Sequence, residues 1–324
     1  MTELLPRRLK EISPKAYEHP ADRAATAALQ SIPGIDAVVR KLIEFSYERA
    51  YRQGFLAGSV RLGPDQLPDI WSRYEEVLAT LDMPETYDVY VSQVPFANAA
   101  AVGSGKPMIV VNSAALGLLD EDELQTVLAH EVAHILSDHV MYQTALLILL
   151  QLMPVGRIPP LAGLPLVGIR SALLEWSRAA ELSSDRASAL VNRQPLVTCR
   201  TLMVIAGGRS SKELSLDAFL RQAQDYHEWK STWDRFARLR AQLGQTHSDP
   251  VRRVAELQDW VRSGAYDRII SGVYPKRGDP VDASAQADDA YRHYRDRFRK
   301  LFEDAGDTLS SAADKMAEWL SARR

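Results

Sequence analysis

The residues best suited to chemistry are His130, Glu131 and His134, which form the pattern H-E-x-x-H. In an α-helix, side chains four positions apart leave the same face, so both imidazole rings can bind one zinc ion. Glu131 stands beside this pair and can take a proton from a water molecule that the metal activates. The pattern therefore predicts metal-assisted hydrolysis, most often of peptide bonds.

The residues around the motif predict that it lies in the middle of a helix. Asp120 and Glu123 match a capping box, in which each side chain bonds the backbone N–H of the other. An apolar stripe at helical spacing follows and is expected to be buried. It consists of Leu124, Val127, Leu128, Val132, Ile135 and Leu136. Short motifs also occur by chance, but this context favours a metal site over a solvated pair of histidines.

A catalytic zinc ion needs a third protein ligand and an open fourth position. His139 is close in sequence, but five residues past His134 a continuous helix would turn it about 140° away, so we expect it at the surface or on the C-terminal face of the helix. Glu181 is the better candidate, because it lies in a second helical pattern, four residues before Asp185. One carboxylate could bind zinc while the other orients a ligand histidine through its free ring N–H. The alternative is a solvated carboxylate paired with a nearby arginine.

The combination of H-E-x-x-H with a downstream E-x-x-x-D resembles the gluzincins of the HtpX and CAAX-prenyl-protease type, metallopeptidase family 48. Other segments are similar to that family as well, and the resemblance extends over roughly residues 84–262. These segments are the strand-like stretch 87–95 with Asn98 and Ala99, the stretch 108–124 before the motif helix, and 246–254.

The resemblance implies a role for each matching residue. His130, His134 and Glu181 would bind one zinc ion per chain. Glu131 would be the general base and would then protonate the leaving amine. Asp185 would orient one of the metal-binding residues without contacting the metal itself.

Two further pairs complete the implied site. Asn98 and Ala99 would lie on an edge strand beside the cleft, where an extended peptide substrate adds as a further strand. His247 and Arg253 would approach the metal and stabilise the oxyanion. The proline that usually follows this histidine in the family is Ser248 in this chain.

The order of helical and strand patterns predicts a mainly helical α+β protein. Residues 1–83 are expected to form a helical N-terminal lobe, and residues 84–275 a gluzincin-type domain with a small sheet beside two zinc-binding helices. Residues 276–324 would form a linker and a C-terminal helical arm. This arm would either dock on the domain or mediate homo-oligomerisation or partner binding.

The long apolar region 140–169 follows the motif helix and is interrupted by Arg157 and several prolines. Because His134 and Glu181 must meet at one metal ion, the segment between them crosses a membrane an even number of times. Two crossings need about 40 apolar residues, which is more than this region offers. We therefore expect an apolar hairpin that packs on the core or on a partner, with shallow contact to a membrane surface as the alternative.

Composition bounds the remaining possibilities. The chain has 324 residues, which is long enough to bury a substantial core. Its net charge is -3 and it has no basic stripe, which argues against nucleic acid as a partner. Cys199 is the single cysteine, which excludes disulfides within the chain and fits a reducing cytoplasm. Its apolar helical surroundings predict a core residue rather than a nucleophile. We expect a cytoplasmic protein, with peripheral membrane association as the alternative.

Together these expectations describe a zinc endopeptidase that acts on polypeptides, with protein quality control as the role that the resemblance suggests. The competing hypothesis is a latent or non-catalytic zinc protein that acts as a scaffold or chaperone-like binder. The enzyme is favoured, because a purely structural zinc site has no use for Glu131.

Overall fold

Helices surround a small mixed sheet in the computed structural model, which confirms the expected mainly helical α+β class. It describes residues 8–32, 34–46, 53–54, 57–103, 105–152, 160–228, 249–279 and 291–299 except 293 and 297. His247 and most of the predicted C-terminal arm lie outside these residues.

The N-terminal part contains helices α1 (Pro20–Gln30) and α2 (Ile35–Ser46), and α3 (Pro68–Thr80) follows. Pro20 and Pro68 each open a helix, because the first turn does not use the N–H that proline lacks. The division between an N-terminal lobe and the domain at residue 83 stays a prediction.

Among the described residues, four strands form the sheet. They are β1 (Ser59–Arg61), β2 (Asp88–Ser92), β3 (Ala99–Val102) and β4 (Met108–Asn112), in the order β1-β2-β4-β3. β2 and β4 run parallel in the centre, and the two edge strands pair antiparallel with them. The N-terminal part was expected to be helical, and it also contains the short strand β1. A strand of three residues has too short a pattern to identify, and it forms through its pairing with β2.

The helices that carry the predicted site come next. They are α4 (Ser113–Leu118), α5 (Glu121–Leu136), α6 (Val140–Leu152), α7 (Pro160–Asn192) and α8 (Pro195–Gly207), and beyond them lie α9 (Leu216–Glu228), α10 (Pro250–Arg262) and α11 (Ala265–Ile270). The H-E-x-x-H motif lies on α5, which begins with the predicted capping box at Asp120 and Glu123. Glu181 and Asp185 lie on α7, which packs against α5.

The apolar stripe of α5 is buried against α3 and the sheet, as predicted. Leu128 and Val132 have no exposed surface, and burying each such side chain contributes about 1.5–3 kcal/mol. Cys199 of α8 is also buried, and burial raises the pKa of its thiol to about 12. The predicted core role of Cys199 is therefore confirmed. With its apolar side buried, α5 turns the histidine-bearing face toward α7.

The described parts of the apolar region 140–169 form α6 and the start of α7. Tyr142, Ala145 and Leu149 of α6 are buried in one cluster with residues of α2, so this part packs on the core as expected. Phe298, from the described part of the C-terminal arm, is buried in the same cluster, which favours docking for that part. In the described ranges no single helix has the length and apolarity of a membrane span. The pair Glu121–Leu136 and Val140–Leu150 meets this test only jointly, with a bend of 105°.

Candidate metal centre

Three buried side chains converge where α5 faces α7. The Nε2 atoms of His130 and His134 lie 3.1 Å apart, and Glu181 places a carboxylate oxygen 3.4 Å from each of them. One ligand atom from each of the three residues lies within 4.8 Å of the others. Two imidazoles and one carboxylate are donors that zinc takes in catalytic sites, with a position left open for water. The residues therefore fit the predicted metal.

The outer nitrogen of His130 faces the second carboxylate of α7. Nδ1 of His130 lies 3.2 Å from Oδ1 of Asp185. Arg253 of α10 donates hydrogen bonds from Nε and Nη2 to the two oxygens of Asp185, at 2.7 and 2.6 Å. Its Nη1 lies 2.9 Å from Oε2 of Glu181. A carboxylate fixed in this way orients the imidazole so that Nε2 points at the metal position.

Asp185 and Arg253 are both charged despite their burial. Burial by itself raises the pKa of Asp185, but the adjacent Arg253 and His130 hold it below its usual value. Burial would lower the pKa of Arg253, but the charges of Asp185 and Glu181 raise it above its ordinary value. The centre thus contains a buried ion pair that compensates its own charges.

The two ligand histidines differ in how strongly they hold a proton. Burial lowers the pKa of His134 to about 3, with the nearby His130 acting in the same direction and Glu181 opposing it. Burial also lowers the pKa of His130, but the charge of Glu181 and the hydrogen bond to Asp185 raise it to about 9. In the metal-free site His130 therefore holds a second ring proton at neutral pH, and this proton must leave when a metal binds.

Glu131 projects from α5 toward the edge strand β3. Its Oε2 accepts a hydrogen bond of 2.6 Å from the N–H of Ala101. The neighbouring Gly103 donates its N–H to Oγ1 of Thr144 on α6 at 2.9 Å. The edge of β3 that is not paired with β4 therefore faces the metal centre, and Glu131 lies between the two.

Two cavities flank this arrangement, and Glu131, Glu181, Asn98 and Ala99 line both of them. The larger has a volume of about 350 Å³ and extends toward α4 and α8. Its walls are mainly apolar and include Ala115, Leu119, Val127, Leu202 and Ile205. The smaller has a volume of about 100 Å³ and lies between β3 and α6. Asn98 directly precedes β3 and Ala99 is its first residue, so both lie beside the cavities, and their binding of a substrate stays a prediction.

His139 is not at the surface, contrary to expectation. It is only 2% exposed, and its Nδ1 lies 3.0 Å from Nδ1 of His134. The expectation assumed a helix that continues past Leu136. Instead α5 ends there, Asp138 adopts a left-handed φ of 57°, and α6 departs at 105°. This break turns His139 back toward His134.

Two residues that the sequence did not single out complete the surroundings of His134. The side-chain amide of Gln143 reaches Nδ1 of His134 at 2.9 Å. Oδ2 of Asp22, on α1, lies 3.2 Å from Nε2 of His139. An acidic residue in the first turn of a helix is common, because it complements the helix dipole. The pattern therefore carried no signal that distinguished Asp22.

The remaining predicted residues are Arg253 and His247. Arg253 lies at the centre, as the resemblance implies, with its guanidinium facing Asp185 and Glu181. His247 is outside the described residues, so its approach to the metal stays a prediction.

Two histidines on one helix, a glutamate on the helix that packs against it and an adjacent edge strand are the features expected of a zinc metallopeptidase. A family model described as "Peptidase family M48" matches residues 64–261, and the chain belongs to this family. The family membership confirms the resemblance and establishes a zinc-dependent protease, a hydrolase.

Two relatives indicate how far the similarity extends. The chloroplastic plastoglobule-localized metallopeptidase 48 of Arabidopsis thaliana is 34% identical over 266 residues, which cover 81% of this chain and 76% of the relative. Protease HtpX homolog 2 of Methanosarcina mazei is 26% identical over 174 residues, or 46% of this chain and 59% of the relative. No solved structure shows a significant match to the chain.

Proposed function

We propose that the chain is a zinc endopeptidase in which Glu131 is the general base for hydrolysis of a peptide bond. The observation that carries this proposal is the convergence of His130, His134 and Glu181 on one position beside Glu131. A zinc ion held by these residues would supply Lewis-acid activation of a water molecule and of the scissile carbonyl. Glu131 would take the proton of the attacking water and then pass it to the leaving amine.

The edge strand β3 supports a binding mode for the substrate. An extended peptide would lie along Asn98 and Ala99 and bond to the backbone of the unpaired edge. The hydrogen bond from Ala101 to Glu131 holds the carboxylate at this edge while no substrate is bound. The scissile bond would then pass between Glu131 and the metal ligands.

The cavities support a preference for particular side chains. The larger, mainly apolar cavity offers space for an aromatic or long aliphatic side chain on one side of the scissile bond. The smaller cavity would take a smaller side chain on the other side. We therefore propose that the preferred substrates are unfolded or extended segments that expose large apolar residues, which fits a role in protein quality control.

Arg253 and His247 were both predicted to stabilise the oxyanion. The three guanidinium nitrogens of Arg253 face Asp185 and Glu181. We therefore assign Arg253 the positioning of these two carboxylates. The oxyanion role stays with His247, as the resemblance implies.

For the cellular setting we retain the cytoplasmic expectation, with peripheral contact to an apolar surface through residues 140–169 as the alternative. One relative is named as plastoglobule-localized, which gives that alternative some support. Homo-oligomerisation through the C-terminal arm stays a prediction.

The decisive experiment measures cleavage of unfolded casein by the full-length chain. We expect activity that a chelator abolishes and added zinc restores. Glu131→Gln should bind zinc as the wild type does but lose at least about a hundredfold in rate, because the general base is gone. A wild type without chelator-sensitive cleavage would support the non-catalytic scaffold, and unchanged activity in Glu131→Gln would refute the mechanism.

A further inference from the structure

We propose that Asp22 and His139 position His134 for metal binding, so that the N-terminal helix α1 supplies part of the metal centre. This inference rests on the proposed binding of zinc by His130, His134 and Glu181. It goes beyond that proposal because Asp22 lies outside residues 64–261, the range that the family matches.

Metal binding by Nε2 of His134 would fix the protons along these contacts, with His139 or the amide of Gln143 as the possible acceptor at Nδ1. When Nε2 of His134 offers its lone pair to a metal, Nδ1 of the same ring must carry the proton. Nδ1 of His139 lies 3.0 Å away and accepts this hydrogen bond. The proton of His139 is then on Nε2, which lies 3.2 Å from Oδ2 of Asp22 and donates to it. Asp22, His139 and His134 thus form a chain of hydrogen bonds that ends at the metal position.

Asp22 is a buried hydrogen-bond acceptor in the interior of the protein. It has no exposed surface, and it accepts hydrogen bonds from Oγ of Ser183 at 2.5 Å and from Oγ1 of Thr26 at 3.2 Å. Burial by itself raises the pKa of Asp22, but the contacts with His139, Ser183 and Thr26 hold it below its usual value. A buried carboxylate is costly unless it is paired in this way. Asp22 is therefore ionised and fixed relative to α7, the helix that carries Glu181.

The ring of His139 is held from the side as well. Trp176 of α7 contacts it edge-on, with 5.5 Å between the ring centroids. Nε1 of Trp176 donates to Oγ1 of Thr26 at 2.8 Å, which ties this ring to α1 too. His139 consequently has a defined orientation between α1 and the metal-binding histidine.

Each of the two proposed ligand histidines is thus oriented by a buried carboxylate. Asp185 accepts directly from Nδ1 of His130, whereas Asp22 supports His134 through the intervening ring of His139. A hydrogen-bond acceptor at the ring nitrogen that does not bind the metal fixes the tautomer of the histidine and strengthens metal binding, typically by about 10–100-fold. The alternative is a polar contact that only holds α1 against α7.

Substitutions at His139 distinguish these two roles. His139→Gln can still accept from His134 and donate to Asp22, whereas His139→Phe fills the space but can do neither. We expect zinc affinity, measured by competition with a chelator, to fall about 10–100-fold in His139→Phe and to stay within about threefold of wild type in His139→Gln. The visible absorption spectrum of the cobalt-loaded protein should change in the first variant and not in the second.

Two further variants keep the test decisive if His139→Phe does not fold. Asp22→Asn retains the size of the side chain and removes its charge, and it should weaken zinc binding severalfold. Gln143→Ala removes the other side chain that reaches Nδ1 of His134. Its loss of zinc affinity should be smaller than that of His139→Phe if His139 is the acceptor, and an equal or larger loss would contradict the inference.

His19 offers a matched control. Its Nε2 lies 3.2 Å from Oε2 of Glu256 and its Nδ1 accepts from the N–H of Ala21, so its side chain forms a histidine–carboxylate pair and caps α1, while the backbone N–H that donates to Ser183 is kept in any variant. His19→Phe should lower the melting temperature of the metal-free protein and leave zinc affinity unchanged.

The inference is overturned if His139→Phe and Asp22→Asn bind zinc as tightly as the wild type. It is also overturned if His139→Gln is as weak as His139→Phe, or if His19→Phe weakens zinc binding equally. Failure of the wild type itself to bind zinc would instead overturn the proposed function, and this inference with it.

Discussion

Arg253 donates two hydrogen bonds, of 2.6 and 2.7 Å, to the carboxylate of Asp185, so that a residue of α10 fixes a side chain of α7. The same carboxylate lies 3.2 Å from Nδ1 of His130. The orientation of one metal ligand thus depends on a helix that carries none of the proposed ligands.

Arg253→Ala should therefore damage both stability and metal binding. It removes the buried guanidinium from Asp185 and Glu181, and breaking a buried ion pair typically costs about 3–5 kcal/mol. Denaturant unfolding of the metal-free protein measures this loss, and Arg253→Lys should lose less because it keeps the charge. As a control on the same helix, Arg262→Ala removes an exposed pair with Asp259 and should change stability by less than about 0.5 kcal/mol. Equal effects of the Arg253→Ala and Arg262→Ala substitutions would contradict the proposed importance of the buried pair.

The raised pKa of His130 predicts a pH dependence of the metal-free protein. Its pKa of about 9 exceeds the value of about 6.5 in the unfolded chain, so the proton stabilises the folded state. This contribution is complete below about pH 6.5 and is lost as the pH rises through about 9.

Histidine NMR signals of the chelated protein should show one midpoint near pH 9, and the melting temperature should fall over the same range. Asp185→Asn should lower that midpoint, because a charged hydrogen-bond partner is removed. Zinc-loaded protein should lack the His130 titration, since the ligand nitrogen has lost its proton. Absence of any histidine midpoint above about pH 8 would contradict this prediction.

Zinc should stabilise the folded protein, because the ligands converge only in the folded chain. At a free zinc concentration a thousand times the Kd, the expected gain is about 4 kcal/mol. Melting temperatures with and without zinc measure this gain. His134→Ala should lose most of it, whereas Glu131→Gln should keep it. A zinc-induced shift that survives in His134→Ala would place the ion elsewhere.

The larger cavity predicts a specificity that a single substitution can alter. Ile205 lines it and is 36% exposed, so a larger side chain there narrows the cavity without disturbing the core. Ile205→Trp should lower kcat/KM about tenfold or more for peptides with a large apolar residue near the scissile bond. Peptides with a small residue at that position should be affected much less.

Leu196→Trp is the matched control for this substitution. Leu196 lies on the same helix, is 55% exposed and does not line the cavity. It should leave the ratio of kcat/KM for the two kinds of peptide unchanged. A parallel fall for both peptides in Ile205→Trp would show that the cavity does not select the side chain.

Much of the centre could be predicted because its information is local. The capping residues Asp120 and Glu123 and the apolar stripe behind them place His130 and His134 on one face of a helix. The spacing of four between Glu181 and Asp185 likewise puts both carboxylates on one face of a second helix. Helical periodicity is a short-range property, so these relationships follow from the sequence alone.

The contacts between different helices and strands were decided by the tertiary structure. β1 exists because it pairs with β2, and the cavities exist because β3, α6 and α8 pack around α5. His139 faces His134 only because the chain breaks at Asp138, and Asp22 reaches it only because α1 packs along α7. These contacts depend on long-range packing, which no periodicity within a single segment records. The sequence by itself therefore indicated the proposed ligands and the proposed general base, whereas the fold decided which residues hold them in place.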